Sequence, residues 1–162
     1  MSKGDFADVL RRAFSGEAWH GASLMENLEG VNARTAAAHP IAGAHSIWEL
    51  VVHIAAWNLE FAKLLRGGNA TLKVNTPEDW PPVRVTSEAA WKNALKELKV
   101  SATDLEKAIA AVRDSDMSKK VAGRDYETWF AVTGLPHHFT YHGGQIAMLK
   151  KAAMGRNSAA KH

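Results

Sequence analysis

The chain has 162 residues, nearly half of them hydrophobic, which is the size and composition of one globular domain with a real core. It has no cysteine, which excludes disulfides, thiolate nucleophiles of its own and cysteine-type zinc sites. The formal charge of +3 is small and spread along the chain, unlike the clustered basic stripe of a nucleic-acid binder, and no apolar run approaches the length of a membrane span. Met1-Ser-Lys-Gly-Asp5 has no apolar h-region behind it, so no secretory signal is expected, and the simplest placement is cytoplasmic.

In chain order, Phe6, Val9, Leu10, Ala13 and Phe14 recur at helical spacing. Gly16 and Gly21 then bracket a short stretch, and Leu24, Leu28 and Val31 resume the pattern. This predicts a first helix in two parts, about 4–14 and 22–29, with His20 at the break as a solvated loop histidine or the border of a pocket. Residues 30–45 read as a connection with a turn of helix near 35–38. Ser46-Ile-Trp-Glu49 is a capping box, so a second helix is expected from there to about Arg66, stopped by Gly67-Gly68.

The second helix carries an apolar stripe of Ile47, Leu50, Ile54, Phe61 and Leu65. His53 shares a neighbouring stripe with Glu49, Trp57 and Glu60. The run Leu50–Trp57 is apolar almost all round, so His53 is expected to be buried and to need a partner, as a core histidine or as a ligand. Residues 67–86 hold two glycines and three prolines with no sustained period, which predicts a long loop. A third helix is expected from Thr86-Ser87 to about Val112, with Ala90, Leu95, Leu98, Leu105 and Ile109 inward. A fourth, capped by Asp125, is expected over about 126–152, with a kink or break at Pro136. Residues 1–154 form the expected domain, and 155–162 a flexible tail.

Four helices without a convincing strand predict an all-α four-helix bundle. The long 67–86 crossover loop between the second and third helices favours up-down-down-up topology. Helices two and four are then antiparallel. His53 lies about two turns below the start of one, and His142 about two and a half turns before the end of the other. His138 and His142, four residues apart, share one helix face with their rings about 6 Å apart. A histidine pair alone also fits a solvated helix. Three imidazoles at matching depth between facing helices fit a metal site better, and three nitrogens with an open position is the pattern of a reactive centre.

The segments Ser46-Ile-Trp-Glu-Leu-Val-Val-His53-Ile-Ala-Ala-Trp57 and His138-Phe-Thr-Tyr-His142-Gly-Gly-Gln145-Ile146 resemble the two signature regions of the DinB/YfiT-like superfamily of bacterial four-helix bundles. Ala18-Trp-His-Gly21 and Gly123-Arg-Asp-Tyr126 extend the similarity, while Pro136 departs from it. The resemblance implies a divalent metal held by His53, His138 and His142, and often a homodimer. His137 is excluded, because its helical partner four residues on is Tyr141.

The resemblance also implies a metalloenzyme without fixing the reaction. Characterised relatives include thiol-dependent transferases and an isomerase; others are described only as metal-dependent hydrolases. By preference the chain reads as a low-molecular-weight-thiol S-transferase acting on a small-molecule substrate. A hydrolase, a non-catalytic metal-binding or stress-associated module, and a dimer with merely structural histidines are the alternatives. Zinc or nickel suits three imidazoles best, with iron, copper or manganese also compatible. No general base stands out. Gln145 is placed to orient a ligand, and Tyr141, Trp57, Glu49, Glu60 and His20 lie on or near the relevant faces.

Overall fold

The computed structural model describes residues 3–159, with side-chain surroundings over 4–155. The described residues are helical and contain no strand. α1 spans Lys3–Ser15, α2 Leu24–Leu28, α3 Ala33–Ala37, α4 Ile47–Leu65, α5 Glu88–Ala111 and α6 Thr128–Ala159. No helix among these residues is long and apolar enough to cross a membrane.

The helix ends follow from local chemistry. Ser46 accepts from the Glu49 N–H while the Glu49 carboxylate takes the Ser46 N–H at 2.7 Å, closing the expected capping box of α4. Ser23 and Glu26 build the same device at α2, and Asn32 and Ser87 cap α3 and α5. At the far end of α4, Gly67 N–H reaches Leu64 O at 2.9 Å and Gly68 N–H reaches Lys63 O at 3.0 Å. These two bonds make a Schellman stop, which needs the positive φ of 85° that Gly67 adopts.

α6 departs from expectation at both ends. Asp125 does not cap it: its carboxylate is paired with Lys120, and the helix begins at Thr128. Thr128 anchors that start by giving its N–H and its hydroxyl to Lys119 O at 2.9 and 3.0 Å. The helix also continues past the expected end near 152, through Ala159, so helix replaces the first part of the expected tail. The rest of the tail, 160–162, lies outside the described residues. Pro136 does not break the helix, which stays continuous around it. A proline removes one N–H donor, and α6 has enough buried contact on either side to absorb that loss.

The core lies between the long helices, with α4 packed most extensively on α5. Trp48 tilts against Trp91 at 5.1 Å, and further along Asn58 donates to Ser101 at 3.1 Å. The two helices therefore advance together. α4 and α6 run the other way: Leu64 packs near Ala131, while His53 meets His138 and His142. α1 packs on α5 and α6, bringing Phe14 to Phe139 at 5.4 Å.

The inward stripe of α4 is as expected at Ile47, Leu50 and Ile54, all nearly fully buried. On α5 the deepest early residue is Trp91 rather than Ala90, because its indole N–H reaches Val31 O at 2.8 Å. Removing the Ser46 hydroxyl leaves an α4 N–H without its acceptor. Ser46→Ala is expected to lower stability by about 1 kcal/mol, read by urea denaturation.

Candidate metal centre

His53 enters the core from α4, two turns past the cap, and His138 and His142 approach it from successive turns of α6. His53 Nε2 lies 3.2 Å from His138 Nε2, and His142 Nε2 lies 3.0 Å from the same atom. The three rings are the one group of three or more candidate ligands among the described residues, with their ligand atoms within 4.8 Å of one another. His53 and His142 are buried, and His138 is partly buried.

Two outer nitrogens are committed elsewhere. His53 Nδ1 lies 2.8 Å from Asp79 O and 3.0 Å from Asp79 Oδ1, and His142 Nδ1 lies 2.6 Å from Gln145 Oε1. These partners only accept, so both Nδ1 atoms carry the proton and both Nε2 atoms present bare lone pairs. A single proton on His138 Nε2 cannot satisfy two lone pairs on opposite neighbours well. A cation at their meeting point can, and the donor set fits a divalent metal with an open fourth position.

The environment keeps the rings neutral. Burial pushes His138 down to about 3, with His142 and His53 adding to the effect. Burial likewise pushes His142 down to about 4, against the opposing bond to Gln145. His53 is lowered by burial too, and Asp79 partly restores it. Neutral imidazole is the ligating form, so the rings are ready for a metal at ordinary pH.

Asp79 was not foreseen. It sits in the 67–86 loop, buried at 2% exposure, and accepts from Trp57 Nε1 at 2.7 Å and from the Asn75 N–H at 2.8 Å. One carboxylate thus ties the loop and α4 to the outer nitrogen of His53. Its neighbour Trp80 stacks flat on His53 at 3.9 Å, and His45 stacks on Trp80 at 3.5 Å. The available signal was Asp79-Trp80-Pro81-Pro82: paired prolines stiffen the chain directly after a carboxylate and a large ring, which a slack tether does not need.

The remaining expected residues divide. Gln145 touches His142, Tyr141 meets the same ring edge-on at 4.9 Å, and Trp57 reaches the site through Asp79. Glu49 is taken up by the α4 cap and by His39. Glu60 is taken up by the backbone of Thr71 and Leu72 and by Lys63. His20 is exposed and pairs with Thr140. None of these last three joins the cluster.

Two clefts meet at the histidines, with Trp80 on the wall of both. One, of about 480 Å³, has His53 and His138 on its lining; the other, of about 420 Å³, has His142, Gln145 and Tyr141.

An all-α protein with three converging imidazoles between two antiparallel helices is a candidate helical metalloprotein. The family model of the DinB superfamily matches residues 18–145, and the chain belongs to that superfamily. That span contains all three histidines, Asp79 and Gln145. No curated protein and no solved structure matches the chain.

The unfolded chain binds protons on these histidines near 6.5, the folded chain only near 3 and 4. Between those values the unfolded state holds more protons, so folding free energy falls as the pH drops. Metal-free protein is expected to lose stability from about pH 6.5 downward, with a shallower slope in His138→Gln, measured by urea denaturation across pH. Asp79→Asn keeps the size of the side chain but weakens its hold on His53. It is expected to lower metal affinity by about 10- to 100-fold in a chelator competition.

Proposed function

We propose that the chain is a metal-dependent enzyme of the low-molecular-weight-thiol S-transferase type, with His53, His138 and His142 as the ligands of zinc or nickel. The observation that carries this reading is the position of the cluster. Three imidazole Nε2 atoms face one another beside open clefts, and among the described residues no fourth ligand closes the group. A closed four-ligand set would argue for a structural ion.

A divalent ion held by these nitrogens supplies a positive charge that favours the thiolate form of a thiol. The thiol has to come from a cosubstrate, because the chain has no cysteine. Asp79 and Gln145 hold His53 and His142 in the ligating tautomer. Trp80 covers the flat face of His53 and shields it from water.

A thiol bound to such an ion would release its proton to solvent, so attack by the ionised sulfur would ask no side chain to take one up. Hydrolysis would draw on water whose pKa the ion lowers towards about 7, and it gains further from a base beside that water. The carboxylate lining the larger cleft is Asp79, and both of its oxygens are already accepting hydrogen bonds. Asp79 is therefore not free to act as that base, and the thiol requirement of turnover separates the two reactions. The same reading takes α1, α4, α5 and α6 as an up-down-down-up four-helix bundle. The matched advance of Trp48–Trp91 and Asn58–Ser101, and the opposed run of α4 and α6, support it.

Elemental analysis of untagged protein is expected to find roughly one divalent ion per chain, and almost none in His142→Ala. Metal-loaded protein is expected to consume an electrophile only when a low-molecular-weight thiol is present. Equal metal in both proteins, or turnover of esters without thiol, would overturn the reading.

A further inference from the structure

The larger cleft has a composition that selects its ligand. Its walls carry five aromatic side chains, Trp57, Phe61, Trp80, Tyr126 and Phe130, contributed by α4, the 67–86 loop and the segment entering α6. Its described lining includes no lysine or arginine. Its carboxylate, Asp79, is engaged by His53, Trp57 and the Asn75 backbone. Outside the lining, the guanidinium of Arg124 lies over Trp57 at 5.8 Å, donates to Leu72 O, and stands 3.5 Å from Glu60, which offsets its charge. An anion entering the cleft finds no free counter-charge, and neither does a cation. Either would lose its hydration without compensation.

Two further observations point to an apolar, flat occupant. Val74 and Phe130 stand at the cleft with 63% and 55% of their surfaces exposed, apolar area that a ligand would cover. Gly134 lies on the α6 wall, inside a helix, where glycine costs about 1 kcal/mol relative to alanine. A Cβ built at Gly134 meets no atom within 4 Å. The glycine is therefore not needed for packing, and any larger side chain there would project into open space at the cleft wall.

We propose that this cleft binds an uncharged planar aromatic compound, its ring held among Trp57, Phe130 and the edge of Trp80, whose faces are taken by His53 and His45, beside His53 and His138. Calling that compound the electrophilic substrate rests on the thiol-transferase reading above; the binding itself does not require the ion. The smaller cleft, on the other side of Trp80, is lined mainly by aliphatic side chains such as Ile41, Leu50, Met148 and Leu149, and among the large aromatic side chains it carries only Trp80 and Tyr141 against five in the aromatic cleft.

The test is a matched pair of probes, naphthalene-1-carboxamide and naphthalene-1-carboxylate, alike in shape and different in charge. Binding is followed by quenching of tryptophan fluorescence, on protein as purified and after removal of metal by a chelator. The carboxamide is expected to bind the chelated protein at least about tenfold more tightly than the carboxylate. Gly134→Leu is expected to weaken carboxamide binding by at least about tenfold without lowering the melting temperature. Phe130→Ala, at an exposed position, is expected to weaken it as well. Equal or tighter binding of the carboxylate, absence of carboxamide binding, or wild-type affinity in a folded Gly134→Leu would each overturn the proposal. Ring binding in a protein that holds no metal would sink the enzymatic reading and leave this one standing. Metal without ring binding would do the reverse.

Discussion

The structure is built around a confrontation of lone pairs. His53 and His142 donate their Nδ1 N–H groups to Asp79 and Gln145, and both turn an unprotonated nitrogen toward His138. In a purely structural core this arrangement would be costly, since two electron-rich atoms compete for one proton away from water. Nothing about helix packing calls for it. Apolar side chains in the same three places would fill the space at lower cost. The rest of the molecule reads as the support for that one unfavourable juxtaposition: a cap fixes the depth of His53, and two turns of α6 set the spacing of the pair.

How much of this was legible in the sequence depends on whether the information is local. The Ser46–Glu49 capping box, the Gly67-Gly68 stop and the spacing of His138 and His142 are short-range, and each settled the structure close to where it stands. The depth match between His53 and His142 needed only helix rise and a topology. Asp125 misled because a carboxylate before a helix is a common cap; here the chain instead folds back so that Thr128 bonds to Lys119 O. Trp91 shows the same limit in another form, since its burial depends on a carbonyl sixty residues earlier, at Val31.

The loop hid the most. Residues 67–86 have no period, so pattern reading yields only a tether. What gives the segment its role is where Asp79 and Trp80 land, and that is set by α4 and α6 together. Asn75, with a φ of 62°, turns the chain so that its own N–H meets the Asp79 carboxylate, a left-handed conformation that asparagine tolerates better than most residues. The loop is thus stiffened internally before it touches the helices. Trp80 then does two things at once, covering His53 on one face and taking His45 on the other.

This arrangement changes how the crossover segment should be regarded by anyone re-engineering the chain. Surface connections of this length are the usual places to open new termini or splice in a foreign domain. Here a cut between Asn75 and Asp79 would separate a backbone donor from the carboxylate that braces a histidine about two helical turns from the start of α4. A circular permutant opened at that point would lose the brace, whereas one opened near Asp114, which lines neither cleft, would leave the histidine scaffold whole.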